Sequence, residues 1–207
     1  MSVILCFGYC LLFNAPPTTE IYTLALHDAL PIFSAHREEN IDSESNFRDF
    51  LETLKAVAAR YDRPLIVSTH PRTRKRLEES GGSDLDPRIQ FLKPLGFFDY
   101  VKLQLEARCV ISDSGTITEE SSILNFPAVT IRQAHERPEG MDEGTLIMSG
   151  LEANRVMEAI EIVIAQQSGR ERVFRLIPDY DVEQASKKVL RIVMSYIDYV
   201  NRTVWLK

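Results

Sequence analysis

The stretch RCVISDSGTITEE, running from Arg108 to Glu120, decides the fold. Cys109, Val110 and Ile111 make a short apolar run with no polar interruption, the pattern of a strand buried on both faces. Ser112, Asp113, Ser114, Gly115 and Thr116 break that run, and a helix is expected from about Thr118 to Asn125. Backbone N–H groups at a helix start favour an anion, and a glycine in the turn lets a phosphate approach the backbone. Taken alone, a Ser-Gly pair between strand and helix is as a rule a plain turn and cap. The acidic pair Glu119-Glu120 could accept hydrogen bonds from ribose hydroxyls, or could simply complement the helix dipole in the first turn.

The same alternation extends outward in both directions. Upstream, Phe47, Phe50, Leu51, Leu54, Val57, Ala58 and Tyr61 recur every three or four residues, one face of a helix, with Ser43 or Ser45 as its cap. A strand is expected over 64–69, stopped by His70-Pro71. A charged helix follows over 72–80 and ends at Gly81-Gly82. Arg88 to Leu92 reads as a strand, and Phe97, Phe98, Val101, Leu103 and Leu105 as a helix. Downstream come a strand over 127–132 and a shorter one over 145–149. Val156, Ile160, Val163 and Ile164 mark another helix, and a long final helix spans about 182–200. Short apolar strands separated by helices mean an α/β fold: a Rossmann-like parallel sheet with helices on both faces. In such sheets ligands bind outside the carboxyl ends of the strands. Three polar segments fall there: Ser34 to Asn40, Ser68 to Arg72, and Ser112 to Glu120.

Composition sets the outer bounds. The chain has 207 residues, 44% hydrophobic and 26% charged, the balance of a globular protein. A chain of this length buries roughly 70% of its unfolded surface, enough for a real core. Its formal net charge of −6 argues against nucleic acid, whose partners carry a basic face. The three cysteines, Cys6, Cys10 and Cys109, fit neither a disulfide framework nor a zinc site; they point to a reducing, cytoplasmic setting. The four histidines, His27, His36, His70 and His135, lack metal-ligand spacing. No G-x-G-x-x-G or Walker run is present, which argues against a dinucleotide or P-loop site.

Other polar clusters have two readings. His36-Arg37-Glu38-Glu39-Asn40 places an imidazole, a guanidinium and two carboxylates at a strand end. That set suits acid-base work near neutral pH, and suits a solvated loop equally well. Arg137, in His135-Glu136-Arg137-Pro138, either clamps a phosphate or is a surface charge. His70 either binds a ligand or caps the following helix.

The first 32 residues read differently. Ile4 to Phe13 is nearly all apolar, yet it lacks a basic n-region, and ten residues are too few to span a bilayer, which takes about 20. No lysine or arginine precedes Arg37. The stretch from Thr18 to Ile32 resembles translated sequencing-adapter DNA. Residues 1–32 are therefore expected to be a non-native leader, with a genuine hydrophobic leader as the alternative, and residues 33–207 to form one domain.

Four segments, in order, break the ties: SAHREEN (Ser34 to Asn40), STHPRT (Ser68 to Thr73), SDSGTITEES (Ser112 to Ser121) and HERPEG (His135 to Gly140). Together they resemble the non-hydrolysing UDP-N-acetylglucosamine 2-epimerase family, from about Phe33 to the C-terminus. The resemblance implies the second domain of a two-domain fold of the glycosyltransferase-B kind, with a UDP-sugar substrate between the domains. It makes His36 the active-site histidine. Ser114 and Gly115 become phosphate-binding residues, with Thr116 where many members have a second glycine. It also implies Glu120 on the ribose, Arg137 near the phosphates and Tyr100 beside the uracil. Arg37 and His70 fall where some bacterial members bind a second, regulatory UDP-sugar. Neither metal nor nicotinamide cofactor is implied, and no nucleic acid or membrane partner. The family reaction removes the C2 proton and expels UDP, then re-adds UDP with the proton on the other face. Carboxylates of a first domain, absent from this chain, supply much of the acid-base chemistry, so the chain alone is expected to be inactive; the full-length protein is expected to be a homodimer.

Two further readings share the fold. One is a stand-alone UDP-sugar binding module, the other a glycosyltransferase domain, which the His36 segment disfavours. Within the epimerase reading, the wording of HERPEG-Met141 and of Thr69 to Thr73 is closer to members of capsule and surface-polysaccharide synthesis. Some of those act on a UDP-2-acetamido-2,6-dideoxy-hexose instead of UDP-N-acetylglucosamine. The final helix, apolar at Val189, Ile192, Val193, Tyr196, Ile197 and Val200, is expected to expose an apolar face that favours self-association.

Overall fold

The computed structural model describes residues 31–35, 37–69, 71–79 and 85–206. The chain divides into two compact units, whose described residues lie within 31–177 and 178–206. Among the described residues the larger unit holds strands β1 (Ile32–Ser34), β2 (Leu65–Ser68), β3 (Ile89–Leu92), β4 (Val110–Ser112), β5 (Ala128–Thr130) and β6 (Ile147–Met148). Its helices are α1 (Glu38–Asp42), α2 (Glu44–Tyr61), α3 (Pro71–Glu79), α4 (Phe97–Glu106), α5 (Ile117–Leu124), α6 (Pro138–Asp142) and α7 (Ala153–Val163).

All six strands are parallel, in the order β3-β2-β1-β4-β5-β6. Ile32 pairs with Ile66 on one side and Val110 on the other. The sequence reading assigns Ile32 to the leading stretch; the sheet takes it instead, as the first residue of its central strand. The hydrophobic alternation explains the double layer, because successive strand residues point to opposite faces. Phe33, Leu65, Val67, Ile111 and Val129 pack on one face with Phe50 and Leu54 of α2 and with Val156 and Ile160 of α7. Ile32, Ile66, Val110 and Ala128 pack on the other with Leu103 of α4 and Ile117 of α5. Cys109 is fully buried on the first of these faces, with Phe33 and Phe50, and burial pushes its thiol well above the usual range, so it is inert.

Local signals set the helix ends. Ser43 caps α2 by accepting from the Asn46 N–H at 3.4 Å, and Asp62 ends the helix in the left-handed region. Asn125 ends α5 in the same way, at φ 55°. The short α1 turns the expected polar loop after Ala35 into one more helical segment. The Gly81-Gly82 stop lies outside the described residues. In the smaller unit, α8 (Ala185–Thr203) buries none of its residues. Of the expected apolar face, Val189, Ile192, Val193, Tyr196 and Ile197 are exposed and Val200 is half-buried. No described helix is long and apolar enough to cross a membrane.

Candidate functional site

The strand order reverses between β1 and β4, whose carboxyl ends lie side by side and leave a crevice between their outgoing loops. Asp113 closes the base of that crevice. Its N–H donates to the Ser34 carbonyl at 3.2 Å. Its buried carboxylate accepts from the Arg37 N–H at 2.9 Å and from Asn40 Nδ2 at 3.0 Å. The loop carrying Arg37 is thereby tied to the loop carrying Ser114.

Ser114, Gly115 and Thr116 form the turn into α5. The Ser114 N–H donates to Ser112 Oγ at 3.0 Å, and the Ser114 and Thr116 hydroxyls lie 2.9 Å apart. Thr116 makes no side-chain cap to the helix, so the first N–H groups of α5 have no hydroxyl acceptor from it. An added Cβ on Gly115 would sit 2.5 Å from Arg137 Nη1 and 3.4 Å from Arg132 Nη1. Two guanidinium groups therefore crowd the one residue without a side chain.

Both guanidiniums are held from behind. Arg137 Nε donates to Glu119 Oε1 at 2.7 Å. Arg132, just past β5, is buried; its Nη2 donates to Glu136 Oε1 at 2.7 Å, and its Nε has no partner among the described residues. Arg37 Nη2 also comes within 3.6 Å of Glu136. The bond from Arg132, together with the positive charge of Arg132, Arg37 and Arg137, holds the Glu136 carboxyl below its usual range. Short α6 brings Arg137 in, and it packs on α5 so closely that a Cβ on Gly140 would overlap the Thr118 methyl. Thr118 is buried and β-branched, so its methyl has little freedom to move away. Gly140→Ala is therefore expected to destabilise the protein by about 1–3 kcal/mol through overpacking, measured by urea unfolding; an unchanged midpoint would count against this packing.

Two openings flank the turn. An open cleft of about 770 Å3, solvent included, is lined by Ser34, Ser68, Phe97, Tyr100, Thr116 and Glu120 among others. A smaller one, about 280 Å3, is lined by Gly115, Thr118, Thr130, Arg132, His135 and Arg137 among others. Ser114 lines both. Burial, offset by hydrogen bonds from Ser34 and Gln104, raises the Tyr100 phenol to about 12, so it stays neutral near pH 7. Glu120 Oε2 accepts from Gln104 Nε2 at 2.6 Å.

The expected site residues Tyr100, Ser114, Thr116 and Glu120 thus meet at one cleft, and Ser114, Gly115 and Arg137 at its neighbour. Arg37 approaches the same arginine cluster through Glu136. His36 and His70 lie outside the described residues. Asp113, Arg132 and Gln104 are site-forming residues that sequence reasoning misses. Asp113 sits inside the decisive stretch, but Gln104 looks like any polar residue on a helix. Among the described residues no group of three His, Cys, Asp or Glu side chains could hold a metal ion.

A six-stranded parallel sheet in this order, with a glycine turn and arginines at its reversal, defines a Rossmann-like domain with an arginine-lined crevice. The sequence profile of the UDP-N-acetylglucosamine 2-epimerase family matches residues 13–194, and the chain belongs to that family. A UDP-N-acetylglucosamine 2-epimerase of Methanocaldococcus jannaschii is 31% identical over 145 residues, covering 69% of this chain and 40% of the relative. The solved structure of the Rickettsia bellii UDP-N-acetylglucosamine 2-epimerase is 46% identical, with a TM-score of 0.77, covering 91% of this chain and 52% of that one. The M. jannaschii enzyme solved with UDP-GlcNAc and UDP is 26% identical at a TM-score of 0.73, covering 86% of this chain and 49% of that one. The chain thus spans about half the length of the relatives it matches.

Proposed function

We propose that this chain is the UDP-binding half of a non-hydrolysing UDP-N-acetylglucosamine 2-epimerase, which interconverts UDP-GlcNAc and UDP-ManNAc by eliminating and re-adding UDP. The observation that carries the reading is the Ser114-Gly115 turn with the Arg137 guanidinium against it. Elimination sends negative charge onto the departing diphosphate. Preorganised donors at that position stabilise the charge where it develops, and here they are the N–H groups at the start of α5, Ser114 Oγ, Arg137 and Arg132. Glu120 holds the ribose hydroxyls, and Tyr100 flanks the base in the wider cleft. His36 is proposed as the acid-base group of this half, and Arg37 with His70 as contacts for a second, regulatory UDP-sugar. The remaining acid-base groups are assigned to a first domain, matching the half of the relatives that this chain does not span. The same reading gives the parent protein a homodimeric assembly in the cytoplasm.

Calorimetric titration of UDP tests the site. Ser114→Ala and Arg137→Ala are each expected to weaken binding about 10- to 100-fold, the worth of a charge-assisted hydrogen bond. Equal affinity in both variants and the unsubstituted chain would overturn the assignment. Adding UDP-2-acetamido-2,6-dideoxy-hexose as a competitor separates the second substrate reading: if it displaces UDP more effectively than UDP-GlcNAc does, the capsule-type sugar is the substrate.

A further inference from the structure

We infer that Gln104 is a positioning residue that sets the ribose selectivity of the cleft by fixing Glu120 and Tyr100 together from behind. This rests on the reading of Glu120 as the ribose carboxylate.

The observation is a buried amide whose hydrogen bonds are spent on the site and nowhere else. Gln104 is fully buried in the third turn of α4, one turn after Tyr100. It does not line the cleft; Tyr100 and Glu120 do. Its Nε2 donates to Glu120 Oε2 at 2.6 Å, and the same amide is a hydrogen-bond neighbour of the Tyr100 hydroxyl. Among the described residues its Oε1 has no partner.

That last fact separates a structural role from a positioning one. A buried acceptor left without a donor costs stability, and an apolar side chain of the same shape would remove that cost. A glutamine kept for packing alone would therefore be a poor choice at this position. A glutamine kept for its N–H groups is a good one. Residues four apart on α4 lie on one face, so a single side chain at 104 can reach the phenol at 100 and, across the helix pair, the carboxylate in the first turn of α5. By engaging Oε2, Gln104 leaves Oε1 for the occupant of the cleft and stops the carboxylate from rotating. A fixed carboxylate oxygen distinguishes a sugar diol from a sugar lacking one hydroxyl, because hydrogen bonding to a held partner discriminates more than a flexible contact does.

The test is calorimetric titration of the full chain with UDP, 2′-deoxy-UDP and inorganic pyrophosphate, for the unsubstituted protein, Glu120→Gln and Gln104→Met. The unsubstituted chain is expected to prefer UDP over 2′-deoxy-UDP by about tenfold. Gln104→Met should bring that ratio close to one and leave pyrophosphate binding unchanged, with only a small shift in the unfolding midpoint, because relief of the unpaired Oε1 offsets the donor lost to Glu120. In the Glu120→Gln background it should have no further effect on the ratio. Gln104→Glu adds a pH signature: a proton shared between two facing carboxyls preserves selectivity at about pH 5, and their repulsion abolishes it at about pH 8.

A ratio retained in Gln104→Met overturns the inference. So does a parallel fall in stability and in the binding of all three ligands, which marks a packing role. If Glu120→Gln keeps the ratio, the ribose reading fails and the inference falls with it. If Glu120→Gln collapses the ratio and Gln104→Met spares it, the inference alone fails. No binding of UDP by the unsubstituted chain overturns both.

Discussion

Gly115→Ala is expected to weaken UDP binding about 10- to 100-fold while shifting the unfolding midpoint little. The new methyl would stand 2.5 Å from Arg137 Nη1, so something must move. What moves is the far end of a flexible side chain, and Arg137 is only partly buried; the folded state loses little. The site loses twice. The guanidinium is pushed from the turn, and the methyl occupies the space where a phosphate would meet the backbone N–H groups. Each lost charge-assisted bond is worth about 1.5–3 kcal/mol. Isothermal titration beside a thermal melt measures both halves of the expectation. Undiminished affinity would mean that the phosphates lie elsewhere, whereas a large drop in the midpoint would mean that the turn is structural.

The opposite profile is expected of Phe50→Ala on α2. Phe50 is fully buried, its ring edge-on to Phe33 of the central strand at 5.3 Å and 5.8 Å from Phe47. Truncation removes the ring's transfer energy and leaves a cavity between sheet and helix, a loss of about 3–5 kcal/mol. For a domain of this size that lowers the melting midpoint by roughly 10 °C. Ile162→Ala, on the exposed side of α7, should stay within about 0.5 kcal/mol. Urea unfolding of the pair checks this. A Phe50 cost below about 1 kcal/mol would mean that this face of the sheet is not the cooperative core.

These two substitutions sit at opposite ends of what a sequence can disclose. Phe50 belongs to a periodic pattern, and so do β2, β4 and α2: apolar runs and a spacing of three or four residues are local, so the chain declares them without its fold. The parallel layer, the decisive turn at Ser114-Gly115 and the grouping of Tyr100 with Glu120 follow from the order of those patterns together with the family motifs. Element ends are softer. The strand expected over 145–149 shrinks to Ile147–Met148, and the central strand reaches back to Ile32. Strand pairing, not composition, decides where a ladder starts.

What only the tertiary structure decides is who stands behind the site. Arg137 and Gly115 are 22 positions apart in the chain, and nothing local says that the guanidinium of one fills the space left by the other. Asp113 reads as a turn residue until Arg37 and Asn40, from another strand end, are found donating to its carboxylate. Gln104 reads as an ordinary helix residue until α4 and α5 pack on the same face of the sheet and bring its amide to Glu120. Periodicity determines which face of an element is buried, since that depends only on neighbours three or four residues away. The partner of a buried polar group depends on contacts between segments far apart in sequence, and those exist only once the sheet has set the order of its strands.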